Sequence, residues 1–300
     1  RIISTRKTAK LLKKNKIKAT LVSEITKFPE MLGGRLKSLH PNIFAGILAD
    51  RKNQKHMNEL KKLKINPIDM VVVNFYPFDE TIKKIGKIRK AIENIDIGGP
   101  SLVRAAAKNH KDVLVVVDRN DYNEIIEKIK KRKADEALRA NFAAKAFLQT
   151  ARYETIISRY FAENFIDELF PGIYNFTFKK IQDLRYGENP HQKAAFYKSY
   201  WINETCISTA KQLQGKELSY NNVLDANDAF ELVKDFKEPT AAVIKHTNPS
   251  GVATASKIGE AYKKAYETDA TSAFGSVVAL NRSCNMEIAK MIKPLFVEVV

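Results

Sequence analysis

Two short stretches restrict this chain more than any others: IDMVVVNF (68–75) and DVLVVV (112–117). Both are continuous, valine-rich apolar runs of strand length. A strand with one wet face alternates; a continuous run needs cover on both faces, as in a parallel sheet. Helical patterns surround them: TAKLLKKN (8–15), QKHMNELKKLK (54–64), GPSLVRAAAKNH (99–110) and DYNEIIEKIKK (121–131). ATLVS (19–23) reads as a further strand. Pro100 suits a first helical turn, and Asp121 is the expected cap of the helix that follows it. Strand and helix alternate, which predicts an α/β fold with a parallel sheet covered on both faces.

Residues 135–170 read as one or two helices, ended by Pro171-Gly172. Alternating YNFTFKKIQ (174–182) then opens a new segment. This predicts two domains, 1–172 and 173–300. The second repeats the mixed pattern: strands in KAAFY, TAAVIKH and SVVALN, helices in ANDAFELVKDFK and KIGEAYKKAYE. NPSG (248–251) reads as a turn. The first residues, RIIST, read as the end of a strand and the last, LFVEVV, as another strand. The chain is therefore expected to be a fragment cut at both ends.

The net charge of +17 lies in the first half. Residues 1–150 hold 33 Lys and Arg against 16 Asp and Glu, and residues 151–300 hold 18 of each. A basic half suits anionic ligands or nucleic acid. The lysines are scattered, and no stacking motif or helix-turn-helix pattern accompanies them, so no nucleic-acid partner is expected. No apolar run approaches the ~20 residues of a membrane span, and no signal peptide is visible. Cys206 and Cys284 stand far apart without CxxC or Cys/His neighbours, so neither zinc nor a disulfide framework is expected. A cytoplasmic setting is the default.

Ligands of open α/β sheets gather beyond the carboxyl ends of strands. Tyr76 follows one valine run. IDIGGP places Asp96, Gly98 and Gly99 before a helix whose free N–H groups can hold an anion. GGRLKSLHP sets Arg35, Lys37 and Ser38 in a glycine-led loop. Each has a plainer reading: a packing aromatic, a tight turn, solvated cations. No GxGxxG or GxxxxGK[ST] pattern supports a dinucleotide or NTP site. In the second half TAAVI delivers Lys245 and His246 at a strand end, a pair able to supply a base and a cation.

Seven motifs in order carry a resemblance: FPEMLGGRLKSLHP, VVNFYPF, IDIGGPSLVRAAAKNH, LRYGENPHQ, GKELSYNNVLDA, IKHTNPSGVA and TSAFGSVVALNR. Together they resemble the bifunctional purine-biosynthesis enzymes, AICAR formyltransferase / IMP cyclohydrolase, over essentially all 300 residues. The resemblance implies a methylglyoxal-synthase-like domain followed by part of a cytidine-deaminase-like transformylase domain. It implies formyl transfer from 10-formyltetrahydrofolate to AICAR, then dehydrative closure of FAICAR to IMP, in a homodimer without catalytic metal. For ring closure it implies Lys37, Tyr76, Asp96 and Lys108, with Arg35, Ser38, Gly98 and Gly99 holding the base and carboxamide. The family's phosphate loop reads Ser-Thr-Gly-Gly-Thr; Ser4, Thr5 and Thr8 match it, and Arg6-Lys7 stand at the glycines. A straight helix from 100 to 108 spans ~12 Å, so Lys108 must reach back to join Asp96. For formyl transfer the resemblance implies His246 as proton acceptor and Lys245 as its cationic partner. Arg185 and Tyr186 would contact nucleotide, with Asn189, His191, Asn248, Phe274 and Gly275 in the same motifs. A family asparagine that works with the Lys-His pair has no counterpart here, so this chain alone is expected to be inactive or nearly so in formyl transfer. Two rival readings are a methylglyoxal-synthase-like lyase and a nucleic-acid-binding module.

Overall fold

The valine runs become neighbouring parallel strands, Met70–Val72 and Leu114–Val116, paired in register. The computed structural model describes residues 1–84, 88–168, 170–202 and 204–300. Within them the chain divides into two units, Arg1–Asn175 and Phe176–Val300.

In the first unit β1 (Ile3–Ser4) leads into α1 (Arg6–Lys14), and β2 (Thr20–Leu21) lies parallel to β1. The strand expected over 19–23 is only two residues long, because α2 (Val22–Thr26) starts at Val22 and buries it. After a short 3₁₀ turn, Leu32–Gly34, come α3 (Pro41–Leu48), started by the His40 ring accepting from Asn42 N–H, and α4 (Gln54–Lys62). Then follow β3 (Met70–Val72), α5 (Phe78–Lys84), α6 (Ile88–Ile92), α7 (Gly98–Lys108), β4 (Leu114–Val116), α8 (Tyr122–Lys130) and α9 (Glu136–Phe165).

Cover on both faces of β4 is what its unbroken apolar sequence requires. Val113 and Val115 pack with Val103, Ala106 and Ala107 of α7. Leu114 and Val116, pointing the other way, pack with Ile125 of α8 and Phe142 of α9. The alanine run of α7 has a packing reason: Ala106 and Ala107 are fully buried, and only small residues let helix and strand approach so closely. Residues 136–165 form one continuous helix. Asp121 does not cap α8 with its side chain. Its carboxylate is drawn instead to Lys145 Nζ of α9, at 2.8 Å.

The second unit opens with an antiparallel hairpin, β5 (Phe178–Leu184) and β6 (Ala194–Ser199). Next come α10 (Tyr220–Lys234), β7 (Thr240–Lys245), β8 (Asn248–Thr254), α11 (Ile258–Thr268), β9 (Ser276–Leu280), α12 (Met286–Ile292) and β10 (Val297–Val299). Four strands form one mixed sheet in the order β10-β9-β7-β8. NPSG is not a turn: it begins β8, which pairs antiparallel with β7. The turn lies one step earlier, at His246-Thr247. β7 is an interior strand, and its alternate residues face different helices. Ala241 and Val243 pack against α11 and α12; Ala242 and Ile244 pack against Ala226, Ala229 and Val233 of α10. Register places the end of β7 beside the starts of β9 and β10. That sheet end gathers Lys245, His246, Asn248, Phe274 and Gly275.

Candidate active sites

In the first unit the loop before α7 is built around Asp96. Its N–H donates to the Tyr153 hydroxyl at 2.8 Å, and its Oδ1 accepts from Gly99 N–H at 2.8 Å. The second bond satisfies one of the donors a helix start leaves open. Glycine is required at 99: an added Cβ would lie 2.3 Å from Asp96 Oδ2. Burial pushes the Asp96 carboxyl above the ordinary carboxylate range; the Gly99 bond and the nearby Lys37 charge pull it down without cancelling that rise. Tyr153, only 3% exposed, meets Phe75 edge-on at 5.1 Å and Phe78 at 6.4 Å. One tyrosine of α9 thus ties the loop after β3 to the loop before α7. Burial pushes its hydroxyl up to about 12, so it stays a neutral hydrogen-bonding group.

The glycine-led loop folds through three successive left-handed residues, Leu32, Gly33 and Gly34. The Lys37 stem lies over Gly34, where an added Cβ would come within 2.7 Å of Lys37 Cε. Ser38 is 8% exposed, and its Oγ would stand 3.1 Å from a Cβ added at Gly98. Lys37, Ser38, Asp96, Gly98 and Gly99 therefore share one locality. A carboxyl raised by burial, in the field of an ammonium, can take a proton while the cation polarises an oxygen.

The second unit's constellation sits at one end of its sheet. Lys245 Nζ donates to Phe274 O at 2.8 Å, beside Gly275 with its φ of 74°. His246 and Thr247, φ 52° and 63°, form the two-residue turn after β7. Asp225 of α10 accepts from both of their N–H groups, at 3.2 and 2.8 Å, and Asn248 Nδ2 donates to His246 O at 2.9 Å. A left-handed non-glycine residue costs about 1–2 kcal/mol. A hydrogen bond to a charged acceptor contributes about 1.5–3 kcal/mol. The carboxylate is thus enough to hold both residues. One turn earlier on the same face of α10, Asn222 accepts from Arg185 Nη2 at 2.9 Å and donates to Glu298 at 3.3 Å. Arg185 also lies 3.9 Å from Glu298 and stacks over the Tyr186 ring at 5.4 Å.

A cavity of about 510 Å³ opens elsewhere on α10, lined by Tyr220, Val223, Leu224, Phe196 and Cys206 among others. It contains no candidate residue. Among the described residues no group of three or more His, Cys, Asp or Glu could hold a metal ion, and no helix is long and apolar enough to cross a membrane.

The family described as the AICARFT/IMPCHase bienzyme matches residues 106–300. The chain belongs to that family. An MGS-like domain matches residues 1–101. Proteins named Bifunctional purine biosynthesis protein PurH are similar over the whole chain: 52% identical in Acetivibrio thermocellus, 52% in a Thermoanaerobacter species and 48% in Ruminiclostridium cellulolyticum. The chain spans 59% of the length of each. A solved structure described as "Crystal structure of ForH" is 27% identical, with a TM-score of 0.45 over 54% of this chain and 85% of that one.

The AICARFT/IMPCHase motifs of this chain are not all drawn together. Lys108 ends α7, an unbroken 11-residue helix, about 15 Å along its axis from Gly98, and is exposed. Tyr76 is 47% exposed, beyond the carboxyl end of β3. Arg35 is engaged by Glu93, which receives both its Nε and Nη2. Each partner favours the other's charged form: Glu93 is held low and Arg35 high. Of the two glycine N–H groups expected to hold substrate, that of Gly99 is already given to Asp96.

Ser4 ends β1, Thr5 stands at the start of α1, and Thr8 lies in α1. The N–H of Arg6 donates to Glu30 at 3.3 Å, so a carboxylate from this chain stands at the start of α1. Asn189 serves the tight turn 187–192 through its backbone, and His191 is exposed. Sequence reasoning missed Tyr153, Glu93, Asn222, Asp225 and Glu298. Only Asn222 carried a local signal: Ser219 and Asn222 form a reciprocal helix cap at capping-box spacing.

Proposed function

We propose that this chain serves both late steps of IMP formation: formyl transfer from 10-formyltetrahydrofolate to AICAR, then closure of FAICAR to IMP. In closure the carboxamide nitrogen attacks the formyl carbon. The formyl oxygen leaves as water with two substrate protons. Asp96 takes the carboxamide proton while Lys37, with Tyr76, bears on the formyl oxygen. The reacting groups belong to one molecule, so holding them together supplies much of the rate. The half-buried Asp96 carboxyl, bonded to Gly99 N–H and within the field of the Lys37 ammonium, carries this reading; family membership supports it.

In the second unit His246 accepts the proton of the AICAR amine as it attacks the formyl carbon. Lys245 stabilises the charge on the formyl oxygen, and Arg185 and Tyr186 contact the nucleotide. The protein works as a cytoplasmic homodimer, without catalytic metal, and the formyl step needs sequence beyond these 300 residues.

The test is IMP formation from FAICAR, followed by ultraviolet absorbance. Lys37→Ala and Tyr76→Phe are each expected to lower turnover about 100-fold or more. Unchanged turnover in both would remove ring closure from this site. Turnover only in a protein extended at both ends would mean that further sequence completes the phosphate site.

A further inference from the structure

The turn that carries His246 is built against the preferences of its residues. A two-residue hairpin loop of type I′ needs positive φ at both central positions, which Asn-Gly supplies at least cost. Here the pair is His246-Thr247, at 52° and 63°, and a β-branched residue there is an outlier. Such backbone persists only where its surroundings over-determine it, and it gathers at functional sites.

One side chain supplies both donors' partner. Asp225 Oδ2 takes His246 N–H and Oδ1 takes Thr247 N–H. Asp225 is mid-helix, next to buried Ala226, on the face of α10 that packs against Ala242 and Ile244 of β7. The clamp is therefore mounted on the same rigid contact as the strand whose end it holds. Lys245, on that strand, is fixed separately through Phe274 O.

We propose that Asp225 is a positioning residue for formyl transfer: its two oxygens clamp the His246-Thr247 turn and so set where the imidazole stands relative to the Lys245 ammonium. This rests on the reading of His246 as proton acceptor. A turn needed only to reverse the chain gains nothing from His-Thr. A turn that must present an imidazole needs the clamp. Two oxygens are also needed. Asn at 225 has nearly the same volume but one acceptor, and its amide would face a backbone N–H.

Formyl transfer from 10-formyltetrahydrofolate to AICAR, assayed in the full-length protein, tests this with Asp225→Asn, Thr247→Gly, both together, and His246→Ala. Asp225→Asn is expected to lower kcat about 10- to 100-fold, with KM for AICAR within about threefold, as misplacement of a reacting group does. Thr247→Gly relieves the strained residue, so Asp225→Asn in that background is expected to cost at least about fivefold less. Wild-type kcat in Asp225→Asn, with His246→Ala inactive, overturns the clamp and leaves the base reading standing. Full activity in His246→Ala overturns the base reading, and the positioning role falls with it. Equal losses from Asp225→Asn in both backgrounds also overturn the proposal. Where Asp225→Asn alone does not fold, the double variant decides. If folded and within about fivefold of Thr247→Gly, it supports the clamp. If it unfolds too, the role is fold-holding and the proposal fails.

Discussion

Asp96 is a carboxyl whose surroundings oppose its charge. Burial raises its pKa, so ionising it costs the fold free energy. A raised carboxyl contributes stability at low pH that is lost as pH rises through its folded value. Asp96→Asn keeps an acceptor for Gly99 N–H and carries no charge. It is therefore expected to melt higher than the parent at pH 7, by a few degrees; about 1 kcal/mol moves Tm ~2–4 °C at this size. The gain is expected to vanish at a pH below the ordinary carboxylate range, ~4, where both chains are neutral at this position. Ring closure is expected to fall about 100-fold or more. Scanning calorimetry and IMP formation check both, and a lower Tm at pH 7 would contradict the assignment of burial as the dominant cause. The carboxyl and its GGP turn were legible in the sequence, because cap chemistry is local. Tyr153, which holds the Asp96 backbone, was not: it comes from 57 residues away, where no periodicity points to it.

At the scale of the element, α7 answers two demands. Its alanines let β4 approach, and its first turn keeps room for a carboxylate. Gly99→Ala separates them. Ala is the better helix former by ~1 kcal/mol, and the displaced Asp96 bond costs about as much as a lost cap, ~1 kcal/mol. The melting temperature is thus expected to stay within a few degrees. IMP formation is expected to fall about 10-fold or more, since the Cβ would occupy the place of Asp96 Oδ2. A variant that closes the ring at the parental rate would show that Asp96 works from another position. Helix α7 was read from its pattern almost to the residue, as were α4 and β7. The NPSG segment was misread because a strand start and a turn share Asn, Pro, Ser and Gly. Only pairing with β7 separates them.

For the whole molecule, the division between Asn175 and Phe176 does not coincide with the border between the two family matches, which falls inside α7. That border divides one helix whose buried face belongs to a single core. Between α9 and β5 the chain instead exposes Phe170, Ile173, Tyr174 and Phe176. Brief chymotrypsin digestion is expected to cut there first and leave two resistant fragments, located by mass spectrometry. First cuts within α7 would contradict this reading of the units.

The sequence by itself determined the α/β class and the family. These rest on short-range regularities: period, turn residues, caps and ordered motifs. Only the tertiary structure decided which of those residues meet. It brought Lys37, Ser38 and Asp96 together and left Lys108 at the far end of its helix. It spent Arg35 on Glu93, and it set His246 in a left-handed turn under Asp225. Those outcomes depend on contacts across 21 to 58 residues of chain, where the free energy of packing, rather than local preference, selects the partner.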